Sequence, residues 1–377
     1  MKIHLIAAAR PNFMKIAPLY HALNKEKWAN PLVIHTGQHY DLNMSDVFFK
    51  DLKLPEPHNH LGIGGGSHAD QTGKVMIAYE KVIMEEKPDL IIVVGDVNAT
   101  MACTITAAKI NFNNKKCNRP LIAHMEAGLR SFDRSMPEEI NRIVTDALAD
   151  ILWTPSPDGD ENLAKEGIVA EKVERVGNIM LDSFEMLREI IDKQETYKKI
   201  GLKQKEYAVV TLHRPSNVDS EDNLALLCNS LVQVAEEVKL CFPIHPRTKK
   251  QLVRYGLYEK LSGSKQILLT EPLNYIRFMN LVVNSRLAIT DSGGLQEETT
   301  YIGIPCLTMR DNTERPITIT EGTNSLCTAG NLLNAVKLSL NNDSKTIRIP
   351  DMWDGNTANR VVESIKRRFI NKSPEIN

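Results

Sequence analysis

The sequence predicts an α/β protein of two Rossmann-like, doubly wound domains facing across a cleft, and three observations predict it. Short runs rich in Ile and Val alternate with stretches of helical apolar spacing along the whole chain. One of these runs, DLIIVV at 89–94, is almost uninterrupted, as a strand covered on both faces of a parallel sheet must be. The alternation then pauses at a polar segment, QETYKKIGLKQK at 194–205, and starts again. Repeated βα units imply parallel strands joined by right-handed crossovers, and 377 residues suffice for two cores. The domains are therefore expected at 1–193 and 206–355, with a closing helix within 356–377 that packs back across the junction.

Each element follows from its local pattern. Residues 2–9 read as the first strand and 16–25 as its helix. A strand at 31–36 and a short helix at 44–52 follow, the latter with Phe48 and Phe49 turned inward. Residues 61–63 close a third strand before Gly64-Gly65-Gly66, and Ser67 caps a long helix to Glu86. The first half continues with strand 89–94, helix 99–110, strand 121–125, helix 138–149, strand 151–154, strand 173–176 and helix 181–193. The second half reads as strand 207–212, helix 224–238, strand 240–244, helix 248–255, strand 267–269, helix 276–283, strand 287–290, helix 295–302 and strand 305–309. A break at Pro350-Asp351-Met352-Trp353-Asp354-Gly355 precedes a last helix over 357–370.

Composition narrows the function. A formal net charge of −1, with no Lys/Arg-rich run, argues against nucleic acid or a membrane surface as partner. No apolar stretch approaches the roughly 20 residues of a membrane-spanning helix. The first nine residues hold a single lysine and run straight into a patterned strand, unlike a signal peptide. Six cysteines without a CxxC pair read as reduced thiols of a cytoplasmic protein, neither a disulfide framework nor a zinc site.

Ligands of parallel sheets gather beyond the carboxyl ends of the strands, so those ends carry the candidates. The segment ITDSGGLQEE, 289–298, is a strand that stops at small residues and becomes a helix. Ser292, Gly293 and Gly294 expose backbone N–H groups at the positive end of that helix, which suits a phosphate or diphosphate. A glutamate one turn later, such as Glu298, is placed to accept from ribose hydroxyls; the plain alternative is an ordinary turn capped by Ser292. Other strand ends carry Arg10 and Lys15, Gly95-Asp96, His124-Met125-Glu126, His213-Arg214 and His245-Pro246-Arg247. Glu138 and Glu139 follow Pro137 and also read as ordinary first-turn acids favouring the helix dipole. Asp96 also reads as a helix cap, and His213 and His245 as satisfied structural residues. Glu126 is harder to dismiss, because a charge ending an apolar strand needs a partner or a function. Together, carboxylates fall in one half, and histidines with a phosphate-type turn in the other.

These motifs closely resemble the non-hydrolysing UDP-N-acetylglucosamine 2-epimerases, a family of glycosyltransferase-B fold. The matching segments are ARPNFMKIAPL (9–19), TGQHYD (36–41), VVGDVNAT (93–100), HMEAGLRSFDRSMPEEINR (124–142), VGNIMLD (176–182), VTLHRPSN (210–217), ITDSGGLQEE (289–298) and MRDNTERP (309–316). The resemblance implies interconversion of UDP-GlcNAc and UDP-ManNAc by elimination and re-addition of UDP through a 2-acetamidoglucal. It assigns Asp96, Glu126 and Glu138 to the acid/base set, without dividing the work among them. Lys15 and His213 would assist at the sugar or leaving group. Arg10, Ser292, Gly293 and Gly294 would hold the diphosphate and Glu298 the ribose. His245, Arg247, Phe278 and Arg315 complete the substrate-binding set. The resemblance also implies no metal or redox cofactor, a UDP-sugar as the small-molecule partner, and a homodimer.

Two departures stand out. The family's TRPE after the first strand is ARPN here, with Asn12 in place of the acid. The stretch YDLNMS, 40–45, lacks the arginine and glutamine that the family associates with a second, regulatory UDP-GlcNAc, which implies a hyperbolic response to substrate. The rival readings are a hydrolysing epimerase releasing ManNAc and UDP, a glycosyltransferase of the same fold, and a non-enzymatic nucleotide-sugar sensor.

Overall fold

A computed structural model describes residues 1–37, 51–113, 118–341 and 348–370, with Arg10 described by its backbone alone. The chain forms two compact units. The first comprises Met1–Met186 and the chain from Asp351 on; the second is Leu187–Pro350.

The first unit is built on seven strands: β1 (Lys2–Ala7), β2 (Asn30–His35), β3 (Asn59–His60), β4 (Leu90–Val94), β5 (Leu121–Met125), β6 (Ile151–Thr154) and β7 (Val173–Arg175). They lie in the order β3-β2-β1-β4-β5-β6-β7, and every pairing is parallel. All five residues of β4 are buried, as its unbroken apolar run requires of a strand covered on both faces. The second unit repeats the plan with β8 (Tyr207–Thr211), β9 (Lys239–Pro243), β10 (Ile267–Thr270), β11 (Leu287–Thr290), β12 (Cys306–Met309) and β13 (Asn324–Cys327). Its order is β10-β9-β8-β11-β12-β13, again parallel throughout. The direction of winding reverses between β1 and β4 and between β8 and β11. Those are the two places where a doubly wound sheet opens a crevice.

Several boundaries differ from the sequence reading. The first helix runs over Arg10–Asn24, starting six residues early because Pro11 is well tolerated in a first turn. The third strand is Asn59–His60. Residues 61–63 continue beside β2 only through Leu61 N–H to the His35 carbonyl (2.8 Å) and Ile63 N–H to the Thr36 carbonyl (2.9 Å). The expected helix at 44–52 lies outside the described residues except for Asp51 and Leu52. The helices Pro157–Lys165 and Leu332–Asn341 and strand β13 were not anticipated. The polar segment at 194–205 is folded into the second unit through a short helix, Thr196–Lys199. Its Thr196 N–H donates to Asn280 Oδ1 at 2.7 Å, and Asn280 Nδ2 donates to the Ile191 carbonyl at 2.8 Å.

The chain returns to the first unit for its last helix, Thr357–Ile365, which continues as a π-helix over Lys366–Ile370. Trp153 Nε1 donates to Ser364 Oγ (3.0 Å) and Trp353 Nε1 to the Pro155 carbonyl (2.9 Å). The start of this helix is capped from a distance. Asp182 accepts from Thr357 N–H at 3.0 Å and Ala358 N–H at 2.7 Å, satisfying two donors that the helix itself leaves unpaired. Asp182→Ala is therefore expected to cost about 0.5–2 kcal/mol, the range for a lost cap. A denaturation midpoint equal to the wild type's would show that the cap carries no such weight.

Candidate functional site

In the first unit the register pairs Val94 with Met125, which sets Gly95-Asp96 beside Glu126 at the ends of two neighbouring strands. Glu126 is 4% exposed and holds a left-handed backbone, φ +69°. One carboxylate oxygen, Oε2, accepts from Lys15 Nζ at 2.5 Å. The other, Oε1, is buried and has no hydrogen-bond partner among the described residues. Buried polar atoms are normally satisfied, and left-handed non-glycine residues are uncommon, so Glu126 combines two departures at one position. Lys15, buried on Arg10–Asn24, also fixes the residue opposite. A Cβ at Gly95, whose φ is +65°, would lie 2.9 Å from Lys15 Nζ. Asn12, the departure noted in sequence, has a structural task. Its Oδ1 accepts from Ala9 N–H (2.9 Å), and its Nδ2 donates to the Val94 carbonyl (3.1 Å). A glutamate there would lack that donor.

Asp96 does not cap the next helix; Val97 occupies the cap position. The Asp96 carboxylate instead pairs with Arg142 Nη1, and its carbonyl accepts from Asn141 Nδ2 at 2.8 Å. Both partners sit on Pro137–Leu148, the helix opened by Glu138 and Glu139. These two adjacent acids have opposite environments. Glu139 is buried and accepts from Ser131 N–H (3.0 Å), Phe132 N–H (2.9 Å) and Arg142. Burial works to raise its pKa, but these bonds outweigh it and hold the carboxyl below its ordinary range. Glu138 is exposed and makes no hydrogen bond or ion pair among the described residues.

In the second unit Thr211 and Thr290 are register partners, so the loop after β8 meets the turn after β11. The buried Asp291 joins them. Its carboxylate accepts from His213 N–H (2.9 Å), Arg214 N–H (2.9 Å), Asn217 Nδ2 (3.0 Å) and His213 Nδ1 (2.9 Å). Burial pushes this carboxyl up, yet the His213 contact and these bonds hold it below its usual range. The His213 and His245 rings lie 5.4 Å apart, and burial followed by the charge on His213 lowers the His245 pKa.

The helix Gly293–Ile302 begins with Ser292 at its cap position, but the Ser292 side chain makes no capping bond, against the plainer reading of that residue. A Cβ at Gly293 would meet Arg315 Nη1 at 2.7 Å and Glu314 Oε1 at 3.0 Å; around Gly294 the space is open. Arg315 pairs with Glu314 (2.6 Å) and Glu297 (2.8 Å), and Arg310 with Glu314 (2.8 Å). Farther along, Glu298 is buried and accepts from Tyr275 Oη at 2.6 Å.

The structure thus gathers Lys15, Asp96 and Glu126 in the first unit, with Glu138 opening the helix that holds Asp96. In the second unit it gathers His213, His245, Ser292, Gly293, Gly294 and Arg315, with Glu298 on the same helix. Arg247 pairs with Asp219 on the surface, and Phe278 is half-buried in Tyr275–Asn284. Arg10 begins Arg10–Asn24. Residues 40–45 lie outside the described set. The sequence reading passed over Asp291, Arg142 and Asp146. For Asp291 a signal existed, because a charge ending an apolar strand is the clue that marked Glu126.

Fold and strand-end residues define a tandem, doubly wound α/β protein with an ammonium–carboxylate set in one unit and a glycine-opened helix in the other. A family model described as UDP-N-acetylglucosamine 2-epimerase matches residues 21–366. The UDP-N-acetylglucosamine 2-epimerase of Methanocaldococcus jannaschii is 41% identical over 350 residues, covering 90% of this chain and 93% of the relative. A UDP-2,3-diacetamido-2,3-dideoxy-D-glucuronate 2-epimerase of Pseudomonas aeruginosa is 36% identical over 97% of this chain and 100% of its own. The crystal structure of the M. jannaschii enzyme in complex with UDP-GlcNAc and UDP superposes with a TM-score of 0.87, at 39% identity. It covers 97% of this chain and 100% of that one. A lipopolysaccharide outer core galactosyltransferase shares the fold alone, with a TM-score of 0.54, 14% identity and coverage of 97% and 99%. The chain belongs to the UDP-N-acetylglucosamine 2-epimerase family.

Burial is the largest influence on Glu298 and pushes its carboxyl up to about 7; the Tyr275 bond opposes this and the charge of Glu297 adds to it. An acid raised in this way holds its proton in the folded state after the unfolded chain has lost it. The stability it contributes is complete below its ordinary value near 4.5 and is lost as pH rises through about 7. Relative to wild type, Glu298→Gln should therefore gain stability between about pH 5 and pH 8, each pKa unit being worth about 1.4 kcal/mol. Thermal melts across that range check it, and a difference that does not change with pH refutes it.

Proposed function

We propose that this protein interconverts UDP-N-acetylglucosamine and UDP-N-acetylmannosamine by eliminating UDP and adding it back through a 2-acetamidoglucal. The observation that carries the reading is Glu126, a buried carboxylate with one oxygen on Lys15 and the other without a partner among the described residues. Strained and unsatisfied groups of this kind are kept where chemistry uses them. The proton at sugar C2 is not acidic, so direct removal is a poor route. In an elimination, a base takes that proton, the C2 electrons form the C1–C2 double bond, and UDP leaves with the C1–O pair. Protonation from the opposite face and return of UDP complete the inversion.

Asp96, Glu126 and Glu138 are assigned to the proton transfers, with Lys15 supporting Glu126 and His213 serving the leaving group. The N–H groups of the Ser292-Gly293-Gly294 turn, with Arg315 and Arg10, hold the diphosphate as charge builds on it. Glu298 takes the ribose, and Phe278, His245 and Arg247 the remainder of the nucleotide. Incubation with UDP-GlcNAc in deuterium oxide should place deuterium at C2 of a retained UDP-sugar. Release of free ManNAc with UDP, or transfer of the sugar to an acceptor, would select a rival. Amide variants of Asp96, Glu126 and Glu138 should each lose about 10²-fold or more in turnover while still binding UDP. Near-normal turnover removes that residue from the set.

The cytoplasm is the proposed compartment, on the five buried unpaired thiols among the described residues; no helix among those residues is long and apolar enough to cross a membrane. A homodimer is proposed on the orientation of Pro137–Leu148. Its interior face is polar, with Glu139, Asn141, Arg142, Thr145 and Asp146 buried. Ile140 and Leu148 are each 38% exposed, which reverses the usual arrangement and leaves apolar side chains for a second copy. Ile140→Glu with Leu148→Glu should shift the mass measured by light scattering from dimer to monomer. A wild-type monomer would overturn the assignment.

A further inference from the structure

Asp146 and His124 lie behind the strand ends, outside the acid/base set. Both are fully buried. Asp146 is on the interior face of Pro137–Leu148, and His124 is the last but one residue of β5. His124 Nδ1 meets Asp146 Oδ1 at 2.6 Å, and its Nε2 donates to the Gly95 carbonyl at 2.9 Å. The second oxygen of Asp146 accepts from Gly128 N–H at 3.1 Å and pairs with Arg130 Nη1 at 2.8 Å. Arg130 is itself held by Glu166 through two bonds of 2.7 Å.

One carboxylate therefore reaches two turns. Gly95 immediately precedes Asp96, and Gly128 follows Glu126 by two residues. Gly95, Glu126 and Gly128 all have positive φ, at +65°, +69° and +81°. These conformations lie just beyond the strands, where backbone bonds continue only singly, from Gly95 N–H to the Met125 carbonyl (3.2 Å) and from Ala127 N–H to the Trp153 carbonyl (3.1 Å). The side-chain network adds the remaining restraint: it fixes the Gly95 carbonyl from one side and the Gly128 amide from the other.

We infer that Asp146, acting through His124 and the Gly128 amide, is a positioning residue that sets the spacing and aim of the Asp96 and Glu126 carboxylates. The inference rests on the acid/base assignment made above. Neither Asp146 nor His124 belongs to the nucleotide-binding set proposed above. Loss of the link should thus misplace the proton-transfer groups and leave binding intact, and a misplacement of about 1 Å costs roughly 10²-fold in rate.

The test compares wild type, Asp146→Ala, Asp146→Asn and His124→Leu in the epimerisation assay, with UDP affinity and melting temperature measured alongside. Asp146→Ala and His124→Leu should each lose roughly 10²-fold in kcat, with KM and UDP affinity little changed. Asp146→Asn should recover most of the loss. Its amide can donate to His124 Nδ1 and accept from Gly128, leaving the Nε2 bond to Gly95 in place. Combining Asp146→Ala with His124→Leu should cost little more than either alone, because the two act as one unit. A wild type that does not turn over UDP-GlcNAc refutes the proposed function itself. With an active wild type, near-normal kcat in Asp146→Ala and His124→Leu overturns the inference. So does a joint fall of kcat and UDP affinity, or a failure of both variants to fold, since either would mark the network as structural only.

Discussion

In each unit a fully buried aspartate ties together loops that leave neighbouring parallel strands, and the geometry of the strand ends depends on that tie. Removing a carboxylate from water costs several kcal/mol unless bonds replace the lost hydration. Asp291 finds those bonds in the His213 and Arg214 amides, the Asn217 amide group and the His213 ring. Asn217 also donates to the Met309 carbonyl at 3.0 Å, which brings the end of β12 into the same junction. Asp146 is held in a comparable way by His124, Arg130 and Gly128. Burial opposes its ionised form, but the charges and bonds of His124 and Arg130 outweigh that and keep its carboxyl below the ordinary range. A parallel sheet aligns strands but does not order the turns beyond them; here buried charge does so.

This division explains which parts of the site the sequence disclosed. Strand ends could be read because apolar runs stop abruptly, and the residue after the stop is conspicuous. Glu126, His213 and the Ser292-Gly293-Gly294 turn were found in that way. Asp146 has no such marker: it is an acid in the last turns of a helix, where solvent-facing acids are common. Only the packing of Pro137–Leu148 shows that its polar face points inward. Glu138 and Glu139 set the same limit. Both look alike beside Pro137, but the three-dimensional course of residues 131–132 and the Arg142 side chain make Glu139 the anchor, while Glu138 has no such bond among the described residues.

The fold was legible for the same reason, and the misses have physical causes. Strands β4, β5, β6 and β11 are short apolar runs between polar breaks, and their positions followed from sequence to within a residue. β13, reading NSLC, is an edge strand with two of its four residues only partly buried, so it has too little apolar character to stand out. β3 is two residues long, and its neighbours at 61–63 add isolated bonds without forming a ladder. The helix Pro157–Lys165 carries four charged residues in nine and buries only Gly159, Asn162 and Leu163, a pattern that resembles a solvated loop.

The diphosphate site proposed in the second unit is one that folding would prepare before the ligand arrives. Arg214, Arg310 and Arg315 cluster at the start of Gly293–Ile302, and Glu314 lies among them. Burial alone would raise the Glu314 carboxyl, but the charges of Arg315 and Arg310 outweigh it and hold the group far below the ordinary carboxylate range. The Arg214 guanidinium moves the other way, lowered first by burial and then by the neighbouring charge of Arg310. These guanidinium groups, held by Glu314 and Glu297, lie next to a helix terminus with its own unpaired N–H groups. Such groups need little reorganisation to take up a diphosphate, because the cost of ordering and desolvating them has already been met in folding.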